Sequence, residues 1–232
     1  MTDERMRTVS DFNQGRDFDI DLREGRLKQA VKLISSLPIG EMLDIGCARG
    51  DWSALWQTRG WKCAGMEINL DMLATAQARG IDARYCDLNQ EAFPFETERF
   101  DLVFAGEIIE HLVDTDGFLQ EIYRCLKPGG HVLLTTPNLA SFENRLRLAL
   151  GFYPRWVDFR LQGVGHVRAY TPRALKLQLT MLKFIPIKHV GNWVPFLPQS
   201  MIDDIKAPWL ISTGTLFPNL AMGIILLARK AR

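Results

Sequence analysis

Three side chains near the middle of the chain have the types and spacing to do chemistry together. Glu107, Glu110 and His111 stand at i, i+3 and i+4, which on a helix turns all three to one side. Two chemistries fit. His111 titrates near neutral pH and can take a proton from a weakly acidic group. Alternatively, two carboxylates and an imidazole are suitable ligands for Mg, Mn or Zn. The expected role is the metal-free one, because three ligands on one short helix leave a hard cation poorly enclosed. A fourth ligand would have to be His166, 55 residues downstream in a Gly-Val-Gly-His turn. His166 within reach of both Glu107 and His111 would favour a metal, and His166 turned toward Tyr170 would favour a base.

A second constellation lies at "MLDIGCARGDW", residues 42–52, where a mostly apolar run meets Gly46, Ala48 and Gly50 ahead of a helical segment. Such a turn lets backbone approach a ligand closely, with helix amides favouring negative charge. A dinucleotide fingerprint would place glycine at 46, 48 and 51; here Ala48 and Asp51 stand at the last two. The Asp51 carboxylate would face an NAD pyrophosphate, which counts against a nicotinamide enzyme. Ala48, the smallest change from glycine, is expected where close approach matters more than a positive φ, narrowing a pocket without closing it.

The elements that must position these groups alternate strand and helix. Strand-like runs occur at 41–46, 62–67, 83–87, 100–105, 131–137, 184–190 and 220–228. Amphipathic patterns over 22–36, 70–79, 116–126, 138–150 and 171–182 read as helices. Lys127, Pro128, Gly129 and Gly130 stop one of them, and Thr171 with Pro172 starts another. This alternation is the signature of a parallel sheet covered by helices.

The run Leu43, Asp44, Ile45, Gly46, Cys47, Ala48, Arg49, Gly50 resembles motif I of class I S-adenosylmethionine-dependent methyltransferases, with Ala48 as its one clear departure. Glu67 ends the second strand 21 residues after Gly46, and Asp87 follows the third. "FDLVFAGEIIEHL" and "LKPGGHVLLTTPN" match the family's fourth strand with its loop and its helix-to-fifth-strand junction, so the resemblance spans about residues 42–138.

The resemblance implies an α/β, Rossmann-like, seven-stranded and mostly parallel sheet with helices on both faces, its last strand inserted antiparallel. It implies S-adenosyl-L-methionine as cofactor, held by Asp44, Gly46, Cys47, Ala48 and Gly50. Glu67 would take the ribose hydroxyls and Asp87 the adenine amino group, with Ile68 and Leu88 sandwiching the ring. Gly106 and Glu107 lie in the loop that faces the methyl group, and His111 and His166 are the catalytic candidates. The E-x-x-E-H pattern is similar to that of metal-using ubiquinone-biosynthesis and small-RNA methyltransferases, yet metal-free relatives also carry E-H there with the histidine packed under the cofactor. The implied reaction is methylation of an oxygen on a small molecule. A nucleic-acid methyltransferase, a nicotinamide oxidoreductase and an inactive cofactor-binding module are the alternatives.

Composition bounds the rest. A chain of 232 residues with 47% apolar and 24% charged residues suits one globular domain over 1–232. Residues 1–40 would form an N-terminal helical cap, and 139–183 and 191–218 acceptor-side insertions. The net charge of +1 sets up no protein-wide field toward nucleic acid or membrane, although local patches remain open. Cys47, Cys63, Cys86 and Cys125 lack C-x-x-C spacing, which suits free thiols in a reducing compartment. The charged N-terminal stretch is unlike a secretory signal, so a cytoplasmic protein is expected. Residues 208–228 carry no charge over 21 positions. Ser212, Thr213, Gly214, Thr215, Pro218 and Asn219 read there as a loop, so no stable membrane insertion is expected. From Arg145 to Lys176 seven basic residues face one acid, Asp158, among Phe152, Tyr153, Trp156 and Phe159. That mixture suits an anionic or aromatic acceptor, or the core of a lid; the oligomeric state is left open.

Overall fold

The computed structural model describes residues 25–158, 165–195 and 208–231. Strands β1 (Glu41–Ile45), β2 (Lys62–Glu67), β3 (Asp82–Tyr85), β4 (Phe100–Gly106), β5 (Leu126–Pro137), β6 (Phe184–Gly191) and β7 (Gly223–Lys230) form one seven-stranded sheet of order β3-β2-β1-β4-β5-β7-β6. The first five strands run parallel. β7 inserts antiparallel between β5 and β6. Its run of Ile224, Ile225, Leu226 and Leu227 is buried at every position, as a central strand covered on both faces requires.

Helices α1 (Gly25–Ile34), α2 (Asp51–Gln57), α3 (Leu70–Ala78), α4 (Thr115–Cys125), α5 (Phe142–Ala149), α6 (Pro172–Met181) and α7 (Pro208–Leu216) cover the two faces. Alternate strand residues divide between two cores. Ile45, Val103, Leu134 and Ile224 pack with Phe118 and Ile122 of α4 and Leu175 and Leu179 of α6. Met42, Leu102, Leu133 and Ile225 pack with Ile34 of α1 and Trp52 and Trp56 of α2. Side-chain caps start the helices: Asn69 accepts the Asp71 and Met72 amides, Asp114 the Gly117 amide, and Thr171 the Ala174 amide with Pro172 in the first turn. All four cysteines are buried and free.

Four local expectations are corrected. β5 begins at Leu126 rather than at 131, because Leu126 already pairs with Phe100 across a register shift and Gly129, at φ 79°, absorbs the irregularity. The expected loop at 212–215 is instead the end of α7. Two of its hydroxyls meet partners outside the helix, Thr213 accepting the Val194 amide and Thr215 accepting from Gln29. Gly214 serves close packing: a Cβ there would lie 2.5 Å from the Gly191 carbonyl oxygen. The other two concern Ala48 and Glu107, which both take a positive φ. The first residues of the helix expected over 22–36 lie outside the described residues, as does Phe159. Among the described residues no helix is long and apolar enough to cross a membrane.

Candidate functional site

β1 carries Asp44 to the turn, where Gly46, Ala48 and Gly50 take φ of 70°, 48° and 81°. Ala48 therefore occupies the left-handed region, contrary to the expectation, at a cost of roughly 1 kcal/mol for a residue with a Cβ. Hydrogen bonds hold the strained turn. The Gly46 and Cys47 amides donate to the Met66 carbonyl, both at 2.9 Å, and the Ala48 amide donates to Glu67 Oε2 at 3.0 Å. Glu67 Oε1 accepts the Ile68 and Asn69 amides at 2.9 and 2.8 Å. Gly65 lets β2 close on the turn, since a Cβ there would meet Cys47 Sγ at 2.6 Å. Asp44 is buried and accepts from Ser53 Oγ at 2.8 Å. Burial pushes its carboxyl up to about 7, Ser53 pulls it down and the Glu67 charge adds to the rise.

Asp87 lies just beyond β3, where its carboxylate accepts the Asn89 amide and the Gln90 side chain. Ile68 is 37% exposed, while Leu88 packs against the core. Asp51, the residue that argued against a pyrophosphate, is ion-paired with Arg79.

Beyond β4 the expected Glu107–Glu110–His111 face is absent. Glu107 has φ 58°, which interrupts a helix, and the chain then makes only a single 3-10 turn over Ile109–His111. Glu107 is held elsewhere: its Oε1 accepts the Thr135 hydroxyl at 2.8 Å and pairs with Arg26 at 3.2 Å. The groups that meet are Glu110, His111 and His166, whose candidate ligand atoms lie within 4.8 Å of one another.

Backbone contacts bring His166 across the 55 intervening residues. The Glu110 carbonyl accepts the Val167 and Arg168 amides, and Asp158 Oδ2 accepts the Gly165 and His166 amides at 2.8 and 3.0 Å. The two imidazoles stand edge to face, 4.8 Å between centroids. His111 Nδ1 is 3.1 Å from the Gly165 carbonyl oxygen and His166 Nδ1 is 2.8 Å from that of Trp156. A carbonyl can only accept, so each Nδ1 carries a proton, and in the neutral ring the lone pair is on Nε2. Burial, then the neighbouring His166, holds His111 below the usual imidazole range.

Glu110 is 1% exposed, and among the described residues neither of its carboxylate oxygens has a hydrogen-bond partner. Burial first, and the Glu107 charge second, push its pKa up to about 8. A cavity beside it is walled by Thr136, Arg155, Trp156, His166 and Arg168. Tyr170 turns away, its hydroxyl 3.0 Å from Gln178 Oε1. The structure thus joins His166 to His111 and Glu110, but not to Glu107 and not to Tyr170. Asp158, which organises the insertion turn, was visible in the sequence only as the lone acid of a basic run.

A methyltransferase-domain family matches residues 20–184, more than half of the chain. The chain belongs to the S-adenosylmethionine-dependent methyltransferases. It is 33% identical over 216 residues to the malonyl-[acyl-carrier protein] O-methyltransferase of Salmonella typhimurium, a match covering 84% of this chain and 85% of that enzyme. It is 35% identical over 108 residues to the ubiquinone biosynthesis O-methyltransferase of Pseudomonas entomophila, which covers 44% of this chain and 47% of that one. A methyltransferase structure from Thermotoga maritima superposes with a TM-score of 0.65 at 22% identity, covering 98% of this chain and 94% of its own.

The cofactor of this methyltransferase is S-adenosylmethionine, and the turn fits it. A Cβ on Gly46 would come within 2.5 Å of Ile108 Cδ1, so glycine keeps that approach clear. At the ends of β2 and β3, Glu67 and Asp87 present buried carboxylates suited to hydroxyl and amino donors. Glu67 already accepts three amides, which leaves about one of its four acceptor positions for a ligand.

Proposed function

We propose that this methyltransferase methylates an oxygen of a small anionic or aromatic acceptor bound beside the Glu110, His111 and His166 cluster, with His111 as the proton acceptor. The observation that carries this reading is the His111 contact to the Gly165 carbonyl, which leaves Nε2 as the basic atom. Arg155 and Arg168 in the cavity wall supply positive charge for an anionic group. Both enzymes named above are O-methyltransferases, one acting on a carrier-bound malonyl group and one in ubiquinone biosynthesis. In this reading residues 1–232 form one domain, with 139–183 and 191–218 facing the acceptor, and the free cysteines suit the cytoplasm.

When bound, S-adenosylmethionine supplies a methyl group already activated by its positive sulfur. Asp44, Gly46, Cys47, Ala48, Gly50, Glu67, Ile68, Asp87, Leu88, Gly106 and Glu107 are the proposed binding set. The chain must then align the acceptor oxygen and exclude water. For a hydroxyl acceptor, His111 Nε2 takes the proton as the oxygen is alkylated; a carboxylate acceptor needs no base. The His166 ring packs edge to face with that of His111.

The test uses labelled S-adenosylmethionine with phenolic and carboxylic acceptors. His111→Ala should lower turnover on phenols and leave cofactor affinity unchanged, while turnover of the unaltered enzyme rises with pH below the ordinary imidazole value, where burial and His166 hold His111. Equal turnover in His111→Ala and the unaltered enzyme would remove His111 from the mechanism.

The Glu110, His111 and His166 cluster supports a second reading. A buried carboxylate without a partner and two imidazoles whose Nδ1 protons rest on carbonyls form a donor set for a divalent cation. Loss of turnover with chelator, restored by added Mn, Mg or Zn, would favour it over the metal-free base.

A further inference from the structure

Helix α5 is amphipathic in the inverted sense. Its buried side chain is Asn144, which receives the Arg155 amide on Oδ1 and donates to the Asn138 and Arg155 carbonyls. About 160° round the helix from Asn144, Leu146 is 52% exposed and Leu150, one turn on, is 63% exposed. Phe142 begins this stripe and Phe152, 60% exposed, extends it into the following loop. Leu216 and Phe217 are also exposed in the segment that reaches the Phe142 amide through the Leu220 carbonyl. A patch this apolar on a folded chain marks a contact surface.

The same stretch is basic. Arg145, Arg147 and Arg155 stand there against one carboxylate, Glu143, which pairs with both Arg147 and Arg155. Three guanidinium groups against one acid leave a local positive excess in a chain whose whole net charge is only +1.

We infer that the face formed by α5 and the loop to Trp156 docks on an anionic phospholipid surface. Leucine and phenylalanine side chains enter the acyl boundary, tryptophan and tyrosine sit at headgroup depth, and guanidinium groups meet the phosphates. The apolar share of the patch exceeds its charge, which favours a lipid boundary over an acidic protein surface. Attachment is peripheral, consistent with the absence of a crossing helix among the described residues. Arg155 and Trp156 belong both to this face and to the cavity wall, so docking brings the Glu110 side of the molecule to the lipid. The inference stands apart from the acceptor's identity and from the proton chemistry.

Flotation of the full-length protein with phosphatidylcholine vesicles, with and without phosphatidylglycerol, tests it. Binding should require the anionic lipid and fall as salt rises. Leu146→Glu with Leu150→Glu should cut the bound fraction at least about tenfold, with unfolding temperature and S-adenosylmethionine affinity unchanged. Equal flotation of this variant and the unaltered protein, or no flotation at all, would overturn the inference. A dimer in sedimentation that the same variant dissociates, without vesicle binding, would assign the face to a second copy and overturn it too.

Discussion

The cofactor turn and the Glu110–His111–His166 cluster are built in opposite ways. The turn is assembled from neighbours: β1 and β2 end side by side, with Ile45 paired to Met66, and Glu67 is one residue away from the carbonyl that receives the Gly46 and Cys47 amides. The cluster is assembled from strangers, with Asp158 and the Glu110 carbonyl folding a distant turn onto the 3-10 segment. Adjacent parallel strands place their C-terminal ends together whatever the loops do, and such crevices recur as ligand sites. A site held by loop amides instead depends on a few hydrogen bonds, each replaceable by water. The acceptor half should therefore be the easier to break without harm to the cofactor half.

The largest expected effect tests that asymmetry. Asp158→Ala removes the acceptor of the Gly165 and His166 amides and should lower turnover by about 100-fold through misplacement of His166, while calorimetry shows S-adenosylmethionine binding as before. A matched loss of cofactor binding would show that the two halves are coupled after all.

Glu67→Ala is the reciprocal test. It removes a charged acceptor from the turn and, in the proposed binding set, from the ribose, and should weaken S-adenosylmethionine binding by about 1.5 to 3 kcal/mol, measured by isothermal titration. Unchanged affinity would take Glu67 out of the site.

The third expectation is a pH dependence of stability. Glu110 ionises at about 8 in the folded chain against an ordinary 4.5, so the unfolded chain releases its proton first. Folded stability therefore declines as pH rises from about 4.5 to about 8 and levels off above that window. Glu110→Gln should flatten the decline and raise stability at pH 8 by on the order of 2 kcal/mol, read by chemical denaturation across pH. Asp44, pushed up to about 7, contributes a decline of the same sign at lower pH, which the variant leaves in place.

The smallest effect is at Ala48. Ala48→Gly relieves a left-handed residue, worth roughly 1 kcal/mol, and adds unfolded-state entropy worth about 0.4 to 1 kcal/mol. Thermal unfolding should move little, and cofactor binding should persist. Loss of binding would mean that the Ala48 methyl group shapes the pocket directly.

The sequence by itself determined the sheet and the turn. Hydrophobic runs at 41–46, 62–67 and 100–105 fall on β1, β2 and β4 within a residue. Gly46 and Gly50 mark the backbone positions where a Cβ would collide. Glu67 follows because strand length sets which residue meets the turn. These features depend on local periodicity and on glycine chemistry, both written residue by residue. Tertiary structure decided what depends on partners far along the chain. Spacing put Glu107, Glu110 and His111 on one helix, but the Thr135 hydroxyl and Arg26 hold the Glu107 carboxylate, and the groups that meet are Glu110, His111 and His166. Small polar residues at 212–215 read as a loop until Val194 and Gln29 satisfied two of their hydroxyls within a helix. Ala48 gave no sign of a left-handed backbone, because the Glu67 carboxylate that accepts its amide is 19 residues distant. In each case the deciding hydrogen bond joins groups whose separation in sequence carries no period, so only the folded chain brings them together.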